Sequence, residues 1–374
     1  MPIGDIIDLH RHPLMTSYQV RVLSTADRKA WKSLLPAETS VFGSVEFASL
    51  AEQHYGYAAQ LFVHEQGESR IVYPIFLRPL SELPFAGMSS RSKWDIVSPS
   101  FTGPIFTGPI GESSKSFRQA FSAYCVQQGI VAEFAHLHPW RQSPYQFSRW
   151  GLIPNREIVY VDLSWSEDEI WKYSFAHSCR KNIVRAGNAG LETRPAQSAQ
   201  EIKEFHRIYT ETMDRNQAER SYYFPADYFL EIFLTMSDHS FFMLARHRGR
   251  IVAGTLYLHD GFNIYSYLGG ADHGVQELRP TNAVIYETIR WGLKRGKRRL
   301  ILGGGYRPND GIFRFKSTFS PFRVGFYVFK HVHLKKEYSL LCQAWSLYNG
   351  LPVEEAGYFP AYRTHIEQHS YAKA

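Results

Sequence analysis

Two stretches of the chain repeat one pattern of apolar and polar positions. Residues 58–77 and 241–258 each contain an apolar run, a short polar turn with a glycine (Gly67 or Gly249), and a second apolar run. Two strand-like runs joined by a glycine-bearing turn are typical of a β-hairpin. The sequence therefore predicts the same hairpin once in each half of the chain.

Each predicted hairpin is followed by a helical pattern that ends at a glycine and leads into another apolar run. The helix and the run occupy residues 117–129 and 130–134 in the first half, and 282–296 and 300–302 in the second. In the second helix Ile285, Ile289 and Leu293 fall on one face at helical spacing. An α/β unit that occurs twice predicts two similar domains, which we expect at residues 1–164 and 165–374.

The predicted second domain begins with an amphipathic helix over residues 175–189. One face is apolar and consists of Phe175, Cys179, Ile183 and Ala186. The opposite face is basic and consists of His177, Lys181 and Arg185, with Arg180 at its margin. No acidic residue lies between His177 and Gly190. The basic face is either an ordinary solvated surface or a surface that meets an anion.

A run of three glycines, Gly303, Gly304 and Gly305, follows the last apolar run of the second helix–strand pair. Glycines at a strand end let the backbone approach a ligand closely and leave amide groups free to point at it. Shortly after them, Lys316 stands between Phe315 and Phe319. In such an apolar setting an ammonium group stabilises a developing oxyanion better than in water, although an Arg314/Lys316 alternation is also common at a solvated strand edge.

A repeated Phe-Thr-Gly-Pro unit lies in the first half, at residues 101–104 and 106–109. Proline and glycine force turns here and remove ladder hydrogen bonds, so we expect a shaped loop. The loop, with Thr102 and Gly103, is either a wall of a substrate cleft or a rigid connector.

Composition and charge narrow the classes of function. The 374 residues are 44% apolar and 15% aromatic, carry a formal charge of +7, and include three scattered cysteines. We therefore expect a folded, cytoplasmic, two-domain protein without membrane insertion, whose partner is anionic: nucleic acid, a nucleotide-linked substrate or coenzyme A. The absence of a Walker loop, a dinucleotide fingerprint, a metal-ligand cluster and a Gly-x-Ser-x-Gly elbow disfavours ATP hydrolysis, hydride transfer and metal-assisted hydrolysis.

The duplicated order of elements resembles the double form of the GCN5-related N-acyltransferase (GNAT) fold. Within that fold the sequence is similar to the FemAB family over about residues 42–330. The residues that carry the resemblance are Arg180-Lys181-Asn182-Ile183-Val184-Arg185-Ala186 with Gly190, Leu302-Gly303-Gly304-Gly305, and Phe315-Lys316 with Phe319.

The resemblance implies two tandem GNAT-like α/β domains, each a mixed, mainly antiparallel sheet flanked by helices. FemAB proteins pass an amino acid from aminoacyl-tRNA to an amine, often on a peptidoglycan precursor, without a metal or a bound cofactor. The resemblance also implies that Lys316 is catalytic and contacts a substrate phosphate or stabilises the oxyanion of the tetrahedral intermediate. Substrate contacts are then expected from Arg180, Lys181, Arg185, Phe315, Gly303, Gly304, Gly305, Thr102 and Gly103.

The donor is the main point on which alternatives remain. Residues 277–283, which lead into the second predicted helix, contain no glycine and include Pro280, which lacks an amide donor for a pyrophosphate. This favours aminoacyl-tRNA over acyl-CoA as donor. An acyl-CoA-dependent transferase of polysaccharide or natural-product biosynthesis and a non-catalytic nucleic-acid-binding protein remain alternatives, while the acceptor, the general base and the oligomeric state are not identified.

Overall fold

The computed structural model describes residues 17–85, 93–140, 151–305 and 309–364. The strands are β1 (Gln19–Ser24), β2 (Ala58–Gln66), β3 (Ser69–Pro79), β4 (Trp94–Val97), β5 (Ile105–Thr107), β6 (Ile130–His136), β7 (Ile153–Asp162), β8 (Glu192–Pro195), β9 (Ser240–His247), β10 (Arg250–His259), β11 (Asn263–Ala271), β12 (Arg299–Gly303) and β13 (Arg323–Val332). The helices are α1 (Arg28–Leu34), α2 (Val45–Tyr55), α3 (Gly111–Gln128), α4 (Glu167–Glu169), α5 (His177–Asn188), α6 (Ala199–Arg215), α7 (Ala226–Thr235), α8 (Pro280–Leu293), α9 (Gly311–Ser317) and α10 (Lys335–Asn349), with a π-helical turn at Ile170–Ser174.

The described chain divides into two compact units. Unit 1 contains the residues up to Asn155 and those from Phe326 onward, and unit 2 is Arg156–Gly325. The chain therefore leaves unit 1 and returns to it, whereas the sequence predicted a single division after residue 164.

In unit 1 the strand order is β1-β2-β3-β4-β6-β13, with β5 paired to β3. The predicted first hairpin is present as β2 and β3, which pair antiparallel from Ala58↔Leu77 to Gln66↔Ser69. The helix α3 covers this sheet with Phe117 and Phe121, which are fully buried against Phe62. This aromatic cluster forms the centre of the unit 1 core.

The C-terminal segment belongs to unit 1 because it completes the sheet and covers part of it. Strand β13 pairs antiparallel with β6, from Val328↔His136 to Val332↔Ala132. Trp345 of α10 and Tyr362 are buried in a cluster with Val131 and Ala132 of β6. Residues 326–374 were expected in the second domain; contacts between segments so distant in sequence leave no local pattern.

In unit 2 the strand order is β7-β12-β11-β10-β9-β8. The predicted second hairpin is present as β9 and β10, which pair antiparallel, and β7 pairs antiparallel with β12. This pairing explains why the unit begins at Arg156 and not after residue 164. The helix α8 connects β11 to the parallel strand β12 and buries Ile285 and Ile289, as its periodicity predicted.

Each unit is thus a mixed, mainly antiparallel sheet flanked by helices, and the predicted fold class is confirmed. None of the helices in the described ranges combines the length and the apolar character that a bilayer crossing requires.

A buried ion cluster holds the returning segment in unit 1. The carboxylate of Asp95 on β4 is fully buried and accepts hydrogen bonds from Arg78 on β3 and from Arg363, at 2.5 and 2.8 Å. The Arg363 guanidinium also donates to the carbonyl of Pro79 at 2.8 Å. One carboxylate therefore joins two strands to the C-terminal segment.

We expect Asp95→Ala to lower the free energy of unfolding by roughly 3–5 kcal/mol, because it leaves two buried guanidinium groups without a counter-charge. Asp27→Ala, at an exposed capping position, is the control and should cost about 1 kcal/mol. Urea denaturation measures both variants. An Asp95→Ala variant as stable as the wild type would contradict the role given to this cluster.

Candidate functional site

Strands β11 and β12 separate at one end of the unit 2 sheet. They pair only at Asn263↔Arg299, Ile264↔Leu300 and Tyr265↔Ile301. Beyond these pairs β11 continues along β10 as far as Ala271, and β12 continues along β7 as far as Gly303. The parting strands leave a gap in the sheet, and the three glycines lie at its edge.

The backbone conformation of Gly303 and the close approaches at Gly304 and Gly305 each favour glycine. Gly303 has a φ of 79°, in the left-handed region, and a Cβ there would lie 3.5 Å from the Lys316 Nζ. A Cβ on Gly304 would lie 3.1 Å from the Glu157 carbonyl oxygen, and one on Gly305 would collide with the carboxylate of Asp310. The glycines therefore bring β7, Asp310 and Lys316 close to the strand end.

The lysine singled out by the sequence lies on a helix. Residues 311–317 form α9, not the solvated strand edge that the Arg314/Lys316 alternation left open. Asp310 caps α9, since its Oδ1 accepts a hydrogen bond from the Phe313 amide at 2.7 Å. The Lys316 Nζ donates to the Gly304 carbonyl at 2.7 Å. This bond joins α9 to the end of β12.

The surroundings of Lys316 combine an apolar environment with one nearby carboxylate. Burial lowers the pKa of Lys316 to about 8, and the charge of Asp310 opposes this shift. Phe315 and Phe319 pack edge to face with ring centroids 5.5 Å apart. At neutral pH the ammonium is mostly charged, and two of its three N–H groups have no acceptor among the described residues. Lys316 can therefore donate to a ligand oxygen.

The amphipathic helix predicted from the sequence is α5, and its two faces are as predicted. Cys179, Ile183 and Ala186 are buried, whereas His177, Lys181 and Arg185 are exposed. In the described part of the chain no carboxylate pairs with Lys181 or Arg185. The start of α5 is tied to the end of α9, since the Ala176 amide donates to the Thr318 carbonyl at 2.8 Å. The basic face thus belongs to the same unit as Lys316, in a helix joined to α9.

Arg180 has a different environment from the one predicted. Its Nη1 donates to backbone carbonyls of Trp171, at 3.1 Å, and of Phe175. These carbonyls lie at the π-helical turn that precedes α5, so Arg180 stabilises the entry into the helix. These bonds use only Nη1, so the substrate contact expected at Arg180 stays a prediction for the rest of its guanidinium.

Thr102 and Gly103 lie in unit 1, whereas Lys316 lies in unit 2. Thr102 is 1% exposed, its hydroxyl donates to the Pro99 carbonyl, and its backbone forms a bridge with Leu137. Gly103 has a φ of 66°. These contacts favour the rigid-connector interpretation of the Phe-Thr-Gly-Pro loop over the cleft wall.

The first turn of α8 offers few free amides. Pro280 has no N–H, and the amides of Asn282 and Ala283 both donate to the Arg279 carbonyl, at 3.0 and 3.4 Å. Only the Thr281 amide of this turn has no acceptor among the described residues. Because pyrophosphate binding at a helix start uses several free amides, this turn is poorly suited to coenzyme A.

Two residues of the site escaped the sequence analysis. Asp310 had a signal, because an aspartate before a short helix is a common N-cap. Arg156 had no such signal, because its contact joins residues that are far apart in the sequence. Its Nη1 donates to the Gly305 carbonyl at 2.8 Å. Tyr306–Pro308, between Gly305 and Asp310, lie outside the described residues.

The part of the chain that contains Lys316 is similar to a known domain. Residues 174–317, which include α5 through Lys316, match the family model of the acetyltransferase (GNAT) domain. No curated protein matches the sequence. The match and the fold support an acyltransferase of the GNAT type.

Solved structures are similar to the chain over most of its length. FemX is 12% identical, with 85% of this chain and 98% of that chain covered and a TM-score of 0.66. A conserved protein of unknown function from Bacteroides thetaiotaomicron is 12% identical over 82% and 97% of the two chains, with a TM-score of 0.56. The C-terminal domain (DUF2156) of a protein assigned as a lysylphosphatidylglycerol synthetase from Agrobacterium fabrum is 14% identical over 83% and 93%, with a TM-score of 0.52. The predicted resemblance to FemAB-like proteins is confirmed at the level of the tandem GNAT fold.

We expect Lys316 to titrate near pH 8, and Asp310→Asn to lower its pKa further, because the carboxylate favours the charged ammonium. Asparagine is also a good N-cap, so α9 should persist. Nuclear magnetic resonance of ¹³C-methylated lysines, assigned with Lys316→Arg, measures both pKa values. An ordinary lysine pKa, or one that does not respond to Asp310→Asn, would contradict the described environment.

Proposed function

We propose that this protein is a GNAT-type acyltransferase that passes an aminoacyl group from aminoacyl-tRNA to an amine, forming an amide bond. The acceptor is a small molecule or a precursor of the cell-wall type, and an aminoacyl-tRNA donor implies a cytoplasmic location. One observation carries the proposal: the Lys316 ammonium is held by the Gly304 carbonyl at the gap between β11 and β12.

The proposed chemistry requires positioning and one charge. A neutral amine attacks the ester carbonyl, and the carbonyl oxygen becomes an oxyanion to which Lys316 donates a hydrogen bond. The ester C–O bond then breaks as the amide forms. The amine nitrogen loses one proton and the leaving ribose oxygen gains one, so the reaction needs no metal and no redox partner.

The choice of donor rests on the first turn of α8. Coenzyme A would require amides for its pyrophosphate, and two of the three amides available there already bond to Arg279. An aminoacyl ester has no such requirement, because its phosphates lie in the RNA backbone and are recognised by cationic side chains. This favours the tRNA-borne donor over acyl-CoA.

Lys316→Met tests the assigned role. Methionine preserves most of the volume of the lysine stem, so we expect stability within about 1 kcal/mol of the wild type and a fall in single-turnover transfer of roughly 10²–10³. The assay uses the purified protein with labelled aminoacyl-tRNA pools and a cell extract of small amines, with acyl-CoA pools as the comparison donor.

Two outcomes would contradict the proposal. Transfer from acetyl-CoA, or a rise in the melting temperature at micromolar acetyl-CoA, would overturn the choice of donor. Transfer by Lys316→Met at a rate close to that of the wild type would make Lys316 a structural residue. Lys316→Arg, which retains the charge with a different reach, decides the matter if the methionine variant unfolds early.

The exposed face of α5 is proposed to contact the anionic donor. Lys181→Glu/Arg185→Glu should raise KM without changing the melting temperature, since the buried face through Cys179 and Ile183 is unchanged. Lys203→Glu/Arg250→Glu, at two exposed positions of the same unit, is the charge-matched control. Equal kinetics for both variants would leave this face of α5 as a solvated surface.

A further inference from the structure

A second basic region lies where α8 leads into β12. Between Glu287 and Asp310 the sequence contains no acidic residue. Six cationic residues fall in the ten positions from 290 to 299, namely Arg290, Lys294, Arg295, Lys297, Arg298 and Arg299. Dense basic segments of this kind are typical of surfaces that bind polyanions, provided that their charges are exposed and unpaired.

Three of these cations are exposed, and two of them stack on aromatic rings. Lys294, Arg295 and Arg298 are exposed, and no carboxylate pairs with them among the described residues. The Arg295 guanidinium lies over the Trp291 ring at 4.1 Å, and the Arg298 guanidinium lies over the Phe262 ring at 4.0 Å. Stacking holds both planar groups in place while their charge stays at the surface. We call these three residues the α8–β12 basic surface.

The acidic groups near this surface are occupied elsewhere. Asp260 is buried and accepts hydrogen bonds from the Tyr265 hydroxyl and from the amides of Phe262 and Asn263. Glu287 pairs with Arg290 at 2.8 Å. Burial together with the charge of Lys297 lowers the pKa of His259 to about 4. These contacts leave the charge of the α8–β12 basic surface without compensation from the fold.

We propose that the α8–β12 basic surface binds the phosphate backbone of RNA, and specifically the tRNA part of the aminoacyl donor. The inference deepens the proposed function and rests on it. Stacked guanidinium groups suit RNA, because each can form two parallel hydrogen bonds to a phosphate and can stack its flat face on a base. None of the exposed large apolar side chains in the described ranges belongs to residues 290–299, whereas an anionic membrane surface is usually met by cations together with apolar anchors.

The position of this surface fits an extended ligand. Arg298 lies five residues before Gly303, which ends β12, so about 16 Å separates this part of the basic surface from the glycines beside Lys316 at ~3.3 Å per residue. The ester at Lys316 and the basic surface therefore meet different parts of one RNA, a few nucleotides apart. The α5 face and the α8–β12 basic surface would make separate phosphate contacts.

Binding of labelled, deacylated tRNA to the full chain tests the inference without any catalytic step. The variant Lys294→Gln/Arg295→Gln/Arg298→Gln removes three charges from the surface. The control Lys203→Gln/Arg220→Gln/Arg250→Gln removes three charges from exposed positions elsewhere in unit 2. Fluorescence anisotropy at several salt concentrations gives Kd and its salt dependence, and thermal melts check folding.

We expect the surface variant to bind tRNA at least ~10-fold more weakly at 0.15 M salt and to lose roughly 2 units from the slope of log Kd against log salt, since each lost phosphate contact removes about 0.7–0.9. The control should stay within about twofold of the wild type. Arg295→Lys/Arg298→Lys, which keeps the charge and removes the planar stack, should fall between the two and serves if the glutamine variant melts early.

The failures of the two proposals are distinguishable. Equal loss in the surface variant and the control, or loss of binding to phosphatidylglycerol vesicles with unchanged tRNA binding, overturns this inference. If the wild type transfers an aminoacyl group from aminoacyl-tRNA while the surface variant keeps its tRNA affinity, the proposed function holds and tRNA binding at the α8–β12 basic surface is excluded. If tRNA binds through the surface and no aminoacyl group is transferred, the surface stands and the proposed function fails.

Discussion

The hydrogen bond from Lys316 to the Gly304 carbonyl is the contact on which the site in unit 2 depends. It joins a short helix to the end of the strand that borders the gap in the sheet. The glycines make the contact possible, because Gly303 adopts a left-handed φ of 79° and a side chain at 305 would collide with the Asp310 carboxylate. The position of the Lys316 ammonium at the gap between β11 and β12 therefore depends on the backbone geometry of the glycines.

This arrangement places an ammonium where burial disfavours it. The pKa of Lys316 falls to about 8, and Asp310 limits the fall while also capping α9. A lysine in such a setting stays mostly charged at neutral pH and keeps donors free for a ligand. The apolar environment that disfavours the charged form of Lys316 also strengthens a hydrogen bond from its ammonium to an oxyanion.

The regular parts of the fold could be predicted from the sequence because they follow from local periodicity. The two hairpins, α8 and the two faces of α5 all appear as patterns within about twenty residues. The return of β13 to β6 left no such pattern, because the paired segments are separated by about half of the chain. The sequence therefore predicted a single division after residue 164, because it does not reveal that β13 pairs with β6.

The site was predictable in its residue types and less so in their roles. Lys316 and the glycines stood out by composition, but the helical state of α9 depends on the cap at Asp310. Arg180 and Thr102 bear groups that could contact a substrate, and only the folded chain reveals that backbone carbonyls already bind them. Side chains of this kind cannot be sorted by sequence alone, because their partners are tertiary contacts.

A crystal structure with a stable amide analogue of the aminoacylated 3′ end of tRNA tests whether Lys316 contacts the reacting carbonyl. We expect the analogue carbonyl oxygen within hydrogen-bond distance of the Lys316 Nζ, roughly 2.7–3.1 Å, with the Gly304 contact retained. An analogue bound elsewhere, or one whose carbonyl points away from Lys316, would contradict this expectation.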